Sequence, residues 1–172
     1  MTMSMYDITV PLFIKALSNM SAILDKAMLY AEEKKFDVSY LLHFRLFPDQ
    51  FPFIRQIQIA SDNAKGAAAR LAGIESPKME DNESTVEDLK KRIDKTIDFL
   101  EILTPEQING SEDKKISIWF IPGKYLTGLE YITEMVLPNF YFHITTAYSI
   151  LRHNGVSIGK MDYLGQMSLK EE

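Results

Sequence analysis

At 172 residues without a cysteine, the chain is long enough to bury a core unaided, and disulfide scaffolds, zinc ribbons and thiol nucleophiles are excluded. The net charge of −5 is uneven: residues 75 to 115 carry 12 acids and 7 bases and the remainder 12 of each, so no basic stripe suited to nucleic acid is present. The first residues lack a leader pattern, and the longest apolar run, Val136 to Leu151, is short and interrupted by Pro138, Asn139 and His143; neither signal peptide nor membrane span is expected, and the cytoplasm is the default compartment.

From Thr9 to about Lys35, Phe13, Leu17, Met20, Leu24, Ala27 and Ala31 recur every three or four positions, predicting an amphipathic helix with Pro11 in its first turn. Residues 36 to 50 predict a short helical turn against the bundle, with His43, Arg45 and Asp49 as candidates for a pocket mouth. A second helix is predicted from Phe51 to Ala72, ended by Gly73. Its stripe Ile54, Ile57, Ser61, Ala64, Ala68 and Leu71 faces inward and narrows to small side chains. Arg55, Gln58, Asp62 and Lys65 read as an exposed ion-paired face, and Gln56 and Asn63 as a polar pair able to reach inward.

Ile74 to Glu83 reads as the one long connection. Ser84 and Glu87 have capping-box spacing for a third helix reaching Leu103 on Val86, Leu89, Ile93, Ile97 and Leu100. Lys90, Lys91, Arg92 and Lys95 on it read as a solvated face. Thr104 to Gln107 predicts a short capped turn ended at Asn109-Gly110. Ile116 to Phe120, followed by a Pro-Gly turn, predicts a small hairpin, with Trp119 either anchoring it on the bundle, the favoured reading, or facing a partner chain. Thr127 and Glu130 form another capping box, opening a last helix that runs to Asn154, kinks near Pro138 and stops at Gly155. The tail from Val156 reads as partly ordered at most.

Direct motif search finds no chemistry. His143 and His153 are ten residues apart on one helix, about 15 Å, too far to share a zinc ion. Neither His-Glu-x-x-His nor Glu-x-x-His occurs, and phosphate-binding loops and a serine nucleophile elbow are missing. What stands out is Asn139 and His143, one turn apart on an apolar helix and expected to face the core together. Buried polar groups need partners, and Gln56, Asn63, Tyr148 or a bound small molecule could supply them.

The segments Asp7 to Pro11, Phe51 to Gln58 with Ala64-Lys65-Gly66 and Ala69 to Gly73, and Leu137 to Tyr148 through Leu151 to Val156 resemble an uncharacterised bacterial family. It is numbered nineteen ninety-three among the domains of unknown function, within the DinB/YfiT-like four-helix bundles. The resemblance implies one all-α domain over residues 1–172, an up-and-down four-helix bundle with a small β-hairpin before the last helix, and pairing of two copies through helix faces. Many members of the superfamily look like metalloproteins with one histidine on the second helix and His-x-x-x-His on the last. Setting Leu151-Arg152 and Gly155 on that ending places Asn139 and His143 at the last-helix positions, and Gln56, or its neighbour Gln58, at the other. With Gln and Asn there, no resident metal or other cofactor is expected, and His143 would hold a divalent ion if one bound. The expected role is binding or structural, with a small polar pocket; the alternative is a metal-dependent transferase or isomerase acting on a small molecule.

Overall fold

The computed structural model describes residues 3–118 and 120–171. Its four long elements are α1 (Val10–Lys34), α3 (Phe53–Ala72), α4 (Val86–Glu101) and α7 (Leu137–His153), with a short α2 (Ser39–His43) and α5 (Pro105–Ile108) in the connections. Around the bundle α1 packs on α4, α4 on α3, α3 on α7, and α7 returns to α1. The core lies on the axis they share. Phe13, Leu17 and Leu24 of α1, Ile57, Ala60 and Ala64 of α3, Leu89 and Ile93 of α4 and Phe140, Ala147 and Ile150 of α7 are all buried. Small buried residues on α3, Ala60, Ala64 and Ala67, line its packed side, and α3 packs on α7 with two polar side chains of those helices within reach of each other.

Most helix ends follow from local chemistry. Gly73 takes a left-handed conformation, φ +72°, and its N–H and that of Ile74 return to the last carbonyls of α3. Gly155, φ +92°, closes α7 in the same way. The cap of α4 is one residue later than its spacing suggested: Thr85 accepts from the Asp88 N–H at 3.1 Å, while Asp88 accepts from the N–H groups of Thr85 and Ser84, both at 3.2 Å. Both Ser84-x-x-Glu87 and Thr85-x-x-Asp88 have the box spacing, and the shorter aspartate reaches two donors at once.

The last long helix begins at α6 (Gly128–Glu130), capped reciprocally by Thr127 and Glu130. It passes through a π-helical turn, Tyr131–Val136, before α7. There the Leu137 N–H reaches the carbonyl of Ile132, five residues back. Pro138 has no N–H to continue the α-helical ladder and its ring would press on the carbonyl four residues earlier; widening the preceding turn relieves that conflict. Gly128 is set by a different constraint. A Cβ there would stand 1.9 Å from the Ser111 carbonyl oxygen. Gly128→Ala is therefore expected to destabilise the chain by about 1–3 kcal/mol through overpacking, measured as a lower urea midpoint with unchanged slope.

The hairpin is smaller than its sequence suggests. β1 (Ile116–Ser117) pairs antiparallel with β2 (Tyr125–Leu126), Ile116 opposite Leu126. Trp119 lies outside the described residues. The tail departs from expectation in the other direction. Val156 and Ile158 are buried, and α8 (Lys160–Leu164) docks on α1. There Lys26 meets Asp162 at 2.6 Å and the Asn19 amide donates to the Tyr163 carbonyl at 2.9 Å. A short sequence with no helical period has nothing to announce such docking; its two polar contacts to α1 act only when that helix is present. Among the described residues no helix is long and apolar enough to cross a membrane.

Candidate functional site

The carbonyl of Phe51 lies just before Pro52 and outside the α3 ladder. Gln56, on the first turn and a half of α3, folds its side chain back to it, Nε2 donating at 2.8 Å. That bond orients the amide, leaving Oε1 pointed across the α3–α7 seam, where His143 Nδ1 stands 2.6 Å away. A carbonyl oxygen can only accept, so Nδ1 carries the proton, and the neutral ring has its lone pair on Nε2. His143 is 7% exposed and Gln56 1%. Among the described residues no hydrogen bond reaches Nε2. The site is thus an oriented imidazole with one free acceptor nitrogen.

Burial first, and the Arg55 charge second, hold the His143 pKa below its ordinary 6.5. Because the folded chain takes up the proton less readily than the unfolded one, this contribution to stability is complete above about pH 6.5. It is lost as pH falls through the depressed folded value. Between about pH 7.5 and 5, the melting temperature of the parent should therefore fall more steeply than that of His143→Gln; parallel curves would contradict the assignment.

The other sequence candidates do not converge on this ring. Asn139 is exposed, contrary to the expected pairing. With about 100° per residue, it sits some 40° further round than His143, away from the buried line through Phe140, Ala147 and Ile150. Gln58 is buried but turns elsewhere, donating to Glu83 at 2.7 Å and accepting from Arg55 at 3.0 Å. The Asn63 amide donates to the Val136 carbonyl at 3.1 Å, at the end of the π turn. Tyr148 packs its ring on Tyr163, centroids 5.8 Å apart. His43, Arg45 and Asp49 are exposed, with Arg45 bonded to the Pro48 carbonyl. From that segment Leu46 joins Tyr141, Phe142 and Thr145 around a shallow cleft of about 440 Å³ on the outer face of α7.

A second polar centre lies on the α3–α4 seam. Arg92, which the sequence placed on a solvated face, is 2% exposed. It pairs with Asp62 at 2.7 Å, Asp81 at 3.0 Å and Glu83 at 2.8 Å, and donates to the Glu80 carbonyl at 3.2 Å. Lys65 pairs with Asp62 at 3.0 Å, and Arg55 with Asp81. Desolvation alone would raise the Asp81 pKa, but hydrogen bonds and charge from Arg55 and Arg92 outweigh it and hold the carboxyl below its ordinary value. The face predicted as exposed and ion-paired is ion-paired, yet Lys65 and Gln58 are buried beneath residues 74–85. Arg55 belongs to both centres, its guanidinium 6.0 Å from the Phe51 ring.

The metal set implied by the resemblance does not fit these residues. Gln56 Oε1 is engaged by His143, Asn139 is exposed, and one free imidazole nitrogen remains; amide oxygens are poor partners for zinc or nickel. No group of three His, Cys, Asp or Glu among the described residues is arranged to hold a metal ion.

An all-α bundle with a lone, amide-oriented imidazole between its second and fourth long helices defines the class. Residues 5–164 match the family described as a domain of unknown function, DUF1993, and the chain belongs to that family. A solved structure of a DinB family member protein from Shewanella denitrificans is similar at 49% identity, with a TM-score of 0.94 over 97% of this chain and 95% of that one. No curated protein matches.

Proposed function

We propose that this chain is a small-molecule-binding bundle, cytoplasmic and homodimeric, that works without a resident metal and presents His143 Nε2 as an acceptor to a ligand bearing an N–H or O–H group. The observation that carries this reading is the 2.6 Å bond from His143 Nδ1 to a Gln56 amide that is itself held by the Phe51 carbonyl. Such preorganisation is what a binding site needs from the residues behind its recognition atom. A second reading, general-base catalysis, draws on the same free nitrogen, since a neutral imidazole at neutral pH can accept a proton. Nucleic acid is not part of either reading: Lys90 pairs with Asp25, and Arg92 is enclosed by carboxylates. A chain without cysteine has no call on an oxidising compartment.

Long-range nitrogen NMR of His143 tests the site. The parent should show the Nδ1–H tautomer, Gln56→Leu should lose that preference, and a fragment library should contain binders that move the Nε2 resonance. An Nε2–H tautomer in the parent, or a ring charged at neutral pH, would sink the reading.

The homodimer is supported by the outer face of α7. From Leu137 to Leu151 this helix has no charged residue, and Phe142 is 55% exposed on it. A face that meets its own copy about a two-fold axis must tolerate its own charges, and this one has none to repel. Sedimentation should give a dimer for the parent and a monomer for Phe142→Asp; a monomeric parent at micromolar concentration would contradict it.

A further inference from the structure

Residues 73–85 join α3 to α4 without regular structure across the seam of those helices. Connections of this length inside a compact domain commonly serve a function. Among the described residues, no backbone hydrogen bond outside regular elements involves residues 75–84 as donor or acceptor to another backbone group. The segment is held by side chains: Asp81 on Arg55 and Arg92, Glu83 on Arg92 and Gln58, the Glu80 carbonyl on Arg92, and Met79 sulfur 3.8 Å from the Thr96 hydroxyl. One buried arginine makes three of these contacts.

Two clefts flank the segment and share Pro77, Lys78, Met79 and Glu80 as a common wall. The larger, about 900 Å³, is completed by α4 with Arg92 in its lining; the smaller, about 600 Å³, by α3 with Asp62 and Lys65. Both lie in the size range of small-molecule sites. Two buried donors stand unpartnered here, Arg92 Nε and the Ser76 hydroxyl, the latter in the lining of the smaller cleft. With the segment down, Arg55, Lys65 and Arg92 face Asp62, Asp81 and Glu83 and the charges balance. With it raised, the three cations face Asp62 alone.

We propose that residues 74–83 form a strap whose Asp81 and Glu83 occupy, as internal pseudo-ligands, an anion site built from Arg92, Arg55 and Lys65, and that a small dianion, a phosphoryl or dicarboxylate compound, displaces them. The guanidinium of Arg92 takes the incoming anion on the edge now facing Asp81, with Nε as the additional donor, in the forked geometry that suits carboxylate and phosphate. Raising the strap removes the wall between the two clefts and joins them into one groove along the α3–α4 seam. This site shares Arg55 with the His143 centre but does not use the imidazole, and it does not depend on the role proposed for that ring.

Inorganic pyrophosphate at low ionic strength is the probe, titrated by calorimetry into the parent, Asp81→Asn and Asp94→Asn. Asp81 is at the surface, so its variant keeps Glu83 on Arg92 and the fold is checked by circular dichroism and melting. Asp94, exposed on α4, makes the same charge change away from the strap. Asp81→Asn should bind about tenfold more tightly than the parent, and Arg55→Gln added to it should remove the gain. Equal affinity of Asp81→Asn and the parent, or an equal gain in Asp94→Asn, overturns the proposal. Should Asp81→Asn fail to fold, the parent and Arg55→Gln decide: a rise in melting temperature with pyrophosphate in the parent that is absent in Arg55→Gln supports the site, and no rise, or an equal rise in both, overturns it.

Discussion

Phe140→Ala is expected to lower the unfolding free energy by about 3–5 kcal/mol, the range for truncating a fully buried phenylalanine. Phe140 has no exposed surface and meets Phe13 of α1 edge-on, centroids 4.9 Å apart, with Tyr141 5.4 Å away. It is the main aromatic tie between α7 and α1. It also stands one turn before His143 on the buried side of α7, so the cavity left by its loss frees the helix to shift relative to α3. The variant should therefore show both a lower urea midpoint and a weakened Nδ1–H preference at His143. A loss below about 1 kcal/mol would mean that α7 is held elsewhere.

Arg92→Met should cost roughly 3 kcal/mol, the lower end of the range for breaking a buried ion pair. Methionine keeps much of the buried stem, so the loss is chiefly electrostatic. Of the three carboxylates on Arg92, Asp62 retains Lys65 and Asp81 retains Arg55, and both are over a third exposed, where solvent screens them. Glu83 is the one stranded: its side chain is 8% exposed, and only the Gln58 amide remains to donate to it. The effect should persist at high salt, because screening acts weakly on buried charge. Urea titrations at low and high ionic strength measure it; a penalty that vanishes with salt would show the network to be a surface feature.

The two polar centres were legible to different degrees, for a common reason. Gln56 could be named among the candidate partners of His143, beside Asn63 and Tyr148, because each sits on a strongly periodic helix, but only the packed structure selects it. The Nδ1–H tautomer could not be read, since it depends on the Phe51 carbonyl and the rotamer that satisfies it. Asn139 was misplaced by about 40° of helix rotation, within the width of a buried stripe, and only packing separates the two sides of such an edge. Arg92 carried no signal at all. Its partners Asp62, Asp81 and Glu83 come from two other segments, and a cation among acids on a helix looks the same whether water or a loop covers it.

The four long helices, their proline and glycine boundaries and the all-α class are legible locally, because apolar period, caps and turn residues act over a few positions. The same local signals place an imidazole on the last helix close to the apolar stripe. Tertiary structure alone decided which nitrogen of that ring is free, that Asn139 turns outward, that the tail docks through Tyr163, and that residues 74–83 are pinned on a buried arginine. Each of these rests on groups distant in sequence meeting at hydrogen-bond range, where a rotation of tens of degrees or a single loop path changes the partner.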